Sequence, residues 1–153
     1  MATSSWTLAD LAGNWRHTSF LLDPDSLIPA TPPGAAKQSM AELWATGALQ
    51  LEASAGGDTL TGKLTFPNGI ELAITVREAP DLFGKAPGVS IEGSGAAPGP
   101  AGSVPLLYHL VGTLSPDWRK GGSEPVIVGA IRAAAFDPRG PTGTVGAFVL
   151  VRQ

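Results

Sequence analysis

Few residues in this chain are equipped for chemistry. The sequence has no cysteine and two histidines, His17 and His109, which excludes disulfides, a thiol nucleophile and a thiolate metal site. His17 stands in Trp15-Arg16-His17-Thr18-Ser19, where period-two alternation puts Trp15, His17 and Ser19 on one strand face. If that face is inward, His17 and Ser19 line the lower cavity, and the imidazole supplies a hydrogen bond or a proton near neutrality. If it is outward, His17 is an ordinary wall residue.

Tyr108 and His109 are neighbours, so only one of them faces inward; the sequence leaves open which. An inward Tyr108 either orients a ligand oxygen or simply packs. Arg132 interrupts the apolar run Val126-Ile127-Val128-Gly129-Ala130-Ile131. Inside, it would anchor an anion, because a buried guanidinium needs a partner; outside, it is solvated. Trp44 either stacks on a ligand or sits at the rim. The candidate ligand-binding set is therefore His17, Ser19, Trp44, Tyr108 and Arg132. Two histidines without a supporting carboxylate cluster do not make a metal site. No Gly-x-Ser-x-Gly elbow or defensible Ser/His/Asp triad occurs, and no cofactor is implied.

The elements that position these residues follow from composition. Gly 20 and Pro 14 in 153 residues, with 15% charged side chains, disfavour long helices. They favour short strands joined by tight turns. An apolar content of 43% is enough to build a core and argues against disorder. The net charge of −3 gives no electrostatic footprint for nucleic acid or an acidic membrane. No run is long and apolar enough to span a bilayer. The first residues lack the basic patch and apolar core of a signal peptide, so a soluble cytoplasmic protein is expected. The length suits one domain, 1–153.

Along the chain, Thr7-Leu8-Ala9-Asp10 predicts a capped helical turn with Leu8 and Leu11 inward. Strands are predicted over 15–21, 41–54, 59–66, 70–77, 88–95, 104–115, 126–136 and 143–152, although 38–44 also tolerates a short helix. The clearest signals are Thr59-Leu60-Thr61-Gly62-Lys63-Leu64-Thr65-Phe66, an alternating half-buried strand, and the hairpin turn Pro67-Asn68-Gly69 that follows it. Residues 22–38 form a long proline-rich loop, 96–102 a mobile Ala/Gly/Pro loop, and 137–141 a turn. On the second strand, Leu43, Ala45, Gly47, Leu49 and Leu51 share a face. Mid-strand glycines at 62, 112, 129 and 146 mark bends in a wall or close backbone approach.

Eight strands with short turns predict an all-β fold, a single antiparallel up-and-down barrel. If strand one runs upward, strand eight runs downward, and Trp15 and Arg152 meet at the floor. The 22–38, 96–102 and 137–141 connections then lie at the opposite rim.

At this point the chain resembles the calycin superfamily: lipocalins, fatty-acid-binding proteins and avidins. The resemblance rests on Leu11-Ala12-Gly13-Asn14-Trp15 after a short turn and on an arginine closing the last strand, Val149-Leu150-Val151-Arg152. It implies that Trp15 forms the barrel floor, that Arg152 packs across it as a cation–π partner, and that the long first loop lids the mouth. The tryptophans and polar residues with which avidins hold biotin have no assignable counterparts, so biotin is not implied.

Ala45, Gly47, Gly62, Gly112 and Gly146 are small enough to leave volume inside the wall, which favours a ligand cavity over a side-chain-filled barrel. The leading expectation is a barrel that binds a small, mostly apolar molecule. The alternative is an isomerase- or cyclase-type enzyme acting on an apolar substrate in the same cavity, and a third is a structural oligomer-forming subunit. Residues 106–111, 126–131 and 145–151 are apolar on both faces, so the outer face calls for cover by another subunit. A homo-oligomer, most simply a dimer, is expected.

Overall fold

The structure, a computed structural model, describes residues 6–22, 41–79, 88–134 and 145–153. The strands are β1 (Gly13–Leu22), β2 (Ala41–Ala53), β3 (Leu60–Thr65), β4 (Glu71–Ala79), β5 (Gly88–Gly99), β6 (Gly102–Pro116), β7 (Pro125–Ala133) and β8 (Val145–Arg152). Each pairs antiparallel with the next, and β8 returns to pair with β1, closing an eight-stranded up-and-down barrel. This architecture is compatible with a calycin-like fold. No helix among the described residues is long and apolar enough to cross a membrane. The predicted 22–38 lid (from residue 23), the loop holding Phe83 and the 137–141 turn fall outside the described residues.

The floor assembles from both chain ends. Leu8–Leu11 forms a single 3-10 turn that buries Leu8 and Leu11. Its entry is pinned by Asp10 Oδ2, which accepts from the Thr7 backbone N–H at 2.7 Å and from the Thr7 hydroxyl at 2.8 Å. Trp15 lies opposite Arg152 in the β1–β8 ladder. The Trp15 indole N–H donates to Leu11 O at 2.9 Å, and the Arg152 guanidinium carbon sits 4.7 Å from the ring centroid. Arg152 Nη1 donates to Ala12 O at 3.0 Å, and Nη2 donates to Asp10 O. The arginine thus satisfies carbonyls that the short turn leaves open while covering an aromatic face.

Gly13 completes the arrangement. Its φ of 129° is unfavourable for a side chain, and a Cβ there would lie 3.0 Å from Arg152 Nη1. The glycine two residues before the tryptophan is therefore where the guanidinium crosses the chain.

Above the floor the lower barrel is solid. Leu51, Leu60, Val76, Val89, Leu114 and Ile127 are all buried. Trp6 packs partly buried against the core cluster, and Trp118, in the 3-10 turn Trp118–Lys120 between β6 and β7, is 84% exposed at the floor. Lys120 Nζ in that turn reaches Arg152 O at 3.3 Å.

Two expectations need correction. Residues 96–102 are not a loop: β5 runs to Gly99 and β6 begins at Gly102, with Ala96↔Pro105, Ala97↔Val104 and Pro98↔Ser103 paired. Composition misleads there because inward positions near the rim must be small. Ala97 is buried, and a Cβ on Gly95 would collide with Glu71 O. Nor do the mid-strand glycines leave hollow space. A Cβ on Gly62 would strike Gln50 O, on Gly129 Val111 O, and on Gly146 Phe20 O. Neighbouring strands approach so closely that only glycine fits. At Gly112 the vacated volume is filled by Ile127 and Phe148, at 2.7 and 2.9 Å from where a Cβ would stand.

The Asn-Gly hairpin is a three-residue turn in which Gly69 alone takes positive φ, at 85°. Asn68 Oδ1 accepts from Ile70 N at 3.1 Å.

Removing the floor contact tests closure. Arg152→Ala is expected to lower unfolding free energy by about 2–4 kcal/mol through the lost charged hydrogen bonds and cation–π contact. Arg152→Lys should recover less than half of that, because a point charge cannot reach both carbonyls from over the ring. Gly13→Ala should cost about 1–3 kcal/mol from backbone strain. Urea denaturation followed by tryptophan fluorescence measures all three.

Candidate functional site

The inward row of β1 continues from Trp15 to His17 and Ser19, which are 2% and 1% exposed. Both line a small cavity of about 40 Å³ in the middle of the barrel. Its walls are Leu49, Leu64, Leu72, Ile74, Ile91, Gly93, Leu110, Ile131 and Leu150, with Trp44, Ala45, Phe66 and Tyr108 on the side toward the rim. Those last four also line a second, open space of about 350 Å³ at the mouth, together with Leu43, Thr46, Pro67, Asn68, Ile70, Ala97 and Leu106. They form a neck between an inner chamber and an outer one. The outer volume lies within the range of small-molecule sites. The inner one has room for no more than a few water molecules or one small group.

The neck depends on a β-bulge. The β1–β2 ladder runs from Ser19↔Ala45 directly to Phe20↔Leu43, with Trp44 left over. The extra residue breaks the alternation. Ala45 and Trp44 both face the cavity, and Leu43, expected inside, turns outward with 52% exposure. Trp44 then meets Tyr108 edge to face at 5.9 Å. Sequence alternation alone cannot register such a bulge, so the shared face drawn through Leu43 stops at Ala45. Gly47 lies beyond it and does not line the inner cavity; a Cβ there would meet Leu64 at 2.8 Å and Thr65 O at 2.9 Å.

His17 is the polar centre. Its ring stacks on Phe148 at 6.4 Å and 17°, and meets Phe66 edge-on at 6.4 Å and 85°. No hydrogen bond reaches its ring nitrogens among the described residues. Desolvation in this apolar box lowers its pKa to about 4, so the imidazole is neutral near neutrality and offers one donor and one acceptor. Ser19 Oγ makes a long contact of 3.4 Å to Ala45 O. Such a histidine is a poor general base at neutral pH, and among the described residues no carboxylate orients it. No group of three His, Asp or Glu side chains that could hold a metal occurs among the described residues.

Comparison with protein-family models, curated proteins and solved structures gives no match. The site must be read from its own geometry.

The structure resolves the open choice at Tyr108 and His109. Tyr108 lines both chambers, whereas His109 points outward, half-exposed, with Nε2 3.6 Å from Glu92 Oε2. His17, Ser19, Trp44 and Tyr108 are thus brought together. Arg132, proposed with them, is not. It lies on the exposed face of β7, paired with His109 and Val145 across the ladder, because the apolar alternation Ile127, Gly129, Ile131, Ala133 occupies the inside. Most of the apolar lining was not singled out from the sequence, including the neck residue Phe66 and the wall glycine Gly93. The hairpin at Pro67-Asn68-Gly69 was the available signal for Phe66, since it places the residue just after β3 at the rim.

The buried histidine gives a pH prediction. Its folded pKa lies below its unfolded value of 6.5, so the unfolded chain takes up the proton first. Stability should therefore be full above pH 6.5 and fall progressively toward pH 4, by at most about 3 kcal/mol from this group. In His17→Gln that slope should vanish between pH 6.5 and 4. The lowered carboxyls of Asp10 and Asp117 act only below that window, near and under 3.8. Unfolding free energies measured at half-unit pH steps for both proteins check the difference.

Proposed function

We propose that this barrel binds a small, mostly apolar molecule that occupies the mouth and extends a narrow end through the neck to His17. The observation that carries this reading is a pair of mostly apolar spaces that share Trp44, Ala45, Phe66 and Tyr108 as lining, the outer one open and about 350 Å³, the inner one ending at a buried imidazole with no hydrogen-bond partner among the described residues. Burial of the ligand's hydrocarbon surface would drive affinity, at roughly 25 cal/mol per Å² before association costs. Ser19 and His17 would fix its orientation, and Trp44 and Tyr108 would flank it. The solid lower barrel limits penetration, so the ligand sits high, across the neck, rather than filling the barrel. The Gly13, Trp15 and Arg152 floor supports membership of the calycin superfamily, whose ligand-holding barrels suit the same reading.

Titration with a panel of apolar compounds, read by tryptophan fluorescence and thermal shift, tests the proposal. Ligands should quench or shift the emission of Trp44 and raise the melting temperature. Ala45→Leu, which narrows the neck, should weaken binding at least tenfold while leaving the unliganded melting temperature within a few degrees. No response across the panel would favour a filled structural barrel instead.

We further propose that the outer face of β6–β8 is covered by a second copy of the chain. Val111, Val128 and Val145 are 48%, 40% and 49% exposed there, on a sheet face whose neighbours Ala130, Ala147 and Val149 are also apolar. Exposed apolar side chains grouped on one sheet face mark association, here edged by Thr113, His109 and Arg132. Val128→Glu should convert a dimer to a monomer in sedimentation analysis. A wild-type chain that sediments as a monomer at tens of micromolar would refute the assignment.

A further inference from the structure

Ligand charge is the next property that the site addresses. Neither the inner chamber nor the mouth is lined by a lysine, arginine, aspartate or glutamate among the described residues. Arg152 belongs to the inward row of β8, but it lies at the floor beneath the solid lower core. Its two terminal nitrogens are engaged by Ala12 O and Asp10 O. It is therefore unavailable to a ligand. Arg132, the other cation considered for this role, is outside.

What remains is His17, 2% exposed, wedged between Phe66 and Phe148, with no hydrogen-bond partner among the described residues. A buried polar group without a partner is costly unless something fills the vacancy. The cavity that His17 faces, about 40 Å³, accepts a small group of a few heavy atoms.

These facts fix both polarity and direction. A carboxylate pushed through the neck would lose its hydration and meet no lysine or arginine among the described residues; only protonation of His17 could balance it, and burial in the aromatic box opposes that. A hydroxyl or carbonyl oxygen loses less and finds in the imidazole either an acceptor or a donor, with the Ser19 oxygen nearby as a second acceptor. The hydrocarbon body then lies in the neck and mouth, against Ile70, Ala97 and Leu106.

Resting on the binding function proposed above, we infer that the site selects an uncharged molecule that enters with its single hydroxyl or carbonyl end first, anchors it at His17, and rejects the matching carboxylate. Binding with the polar end toward solvent, which an apolar cavity without a buried polar anchor would favour, is the arrangement that this geometry opposes.

A matched series tests it: decanol, decanal, decanoate and decane, titrated at pH 7.4 against the full-length protein with Trp44 emission and isothermal calorimetry as readouts. Decanol or decanal should bind at least tenfold more tightly than decanoate and also more tightly than decane. In His17→Leu, decane should bind as well as decanol. His17→Gln, which keeps a donor and an acceptor, should retain part of the alcohol preference. Decanoate binding as tightly as decanol would overturn the inference while leaving the binding function intact. So would an alcohol preference that persists unchanged in His17→Leu. Failure of all four compounds to bind, alongside a positive response from bulkier apolar compounds, would overturn the narrow-end-first geometry. Failure of every compound in both panels would remove the binding function itself.

Discussion

Ring closure depends on a guanidinium crossing a glycine. Where the last strand ends against the first, its terminal arginine lies over Trp15, beside a backbone stripped of its side chain at Gly13. The same guanidinium caps carbonyls of the short N-terminal turn. One side chain therefore links three pieces of chain that are far apart in sequence: the entry turn, the first strand and the final strand. Long-range pairing of this kind forms against a large loop-closure entropy. A compact polar anchor at the seam, shielded by an aromatic ring, offsets part of that cost.

Above the seam the barrel is graded. The lower layers are filled by branched aliphatic side chains, and space opens only where the wall carries aromatic residues and a bulge. The small residues have two separate uses that look alike in composition. Gly62, Gly129 and Gly146 stand where strands nearly touch, so their missing side chains make contact possible rather than volume. Ala45 and Gly93 line the cavity, although a Cβ on Gly93 would stand 3.0 Å from Ile74. The bulge at Trp44 matters more than either set. By spending one extra residue in β2 it brings an indole and a methyl side by side into the neck and expels Leu43.

The polar chemistry of the interior is concentrated in one imidazole held neutral by its surroundings. Keeping a histidine there costs stability whenever the pH falls, which an aliphatic residue in the same position would avoid. The cost is compensated only if the nitrogens are used. Ser19, which lines the same cavity, makes only a long contact to Ala45 O. The arrangement therefore suits the uncharged guest proposed above, which would enter from the mouth.

Much of the architecture is written in local pattern. Alternation in residues 59–66, the Asn68-Gly69 turn and the scarcity of helix formers specify short antiparallel strands, and the count and direction of strands then force Trp15 and Arg152 to one end. The inward orientation of His17 and Ser19 follows from their sharing a face with Trp15. Sequence could not decide between Tyr108 and His109, because both neighbouring faces of β6 are apolar and period two is equally satisfied by either. Only pairing with β5 and β7 sets which is inside. Arg132 was open in the same way: in a strand apolar on both faces, one charge gives no direction until the register with β8 is known. The 96–102 stretch looks like a loop by composition, since small residues signal flexibility when nothing packs on them; here tertiary crowding at the rim demands them. Side-chain period, turn chemistry and chain direction are properties of neighbours along the chain, so the sequence determined them. Bulge position, the sharing of space between glycine and neighbour, and the emptiness around a buried nitrogen are properties of strands meeting in three dimensions, and only the closed barrel decided those.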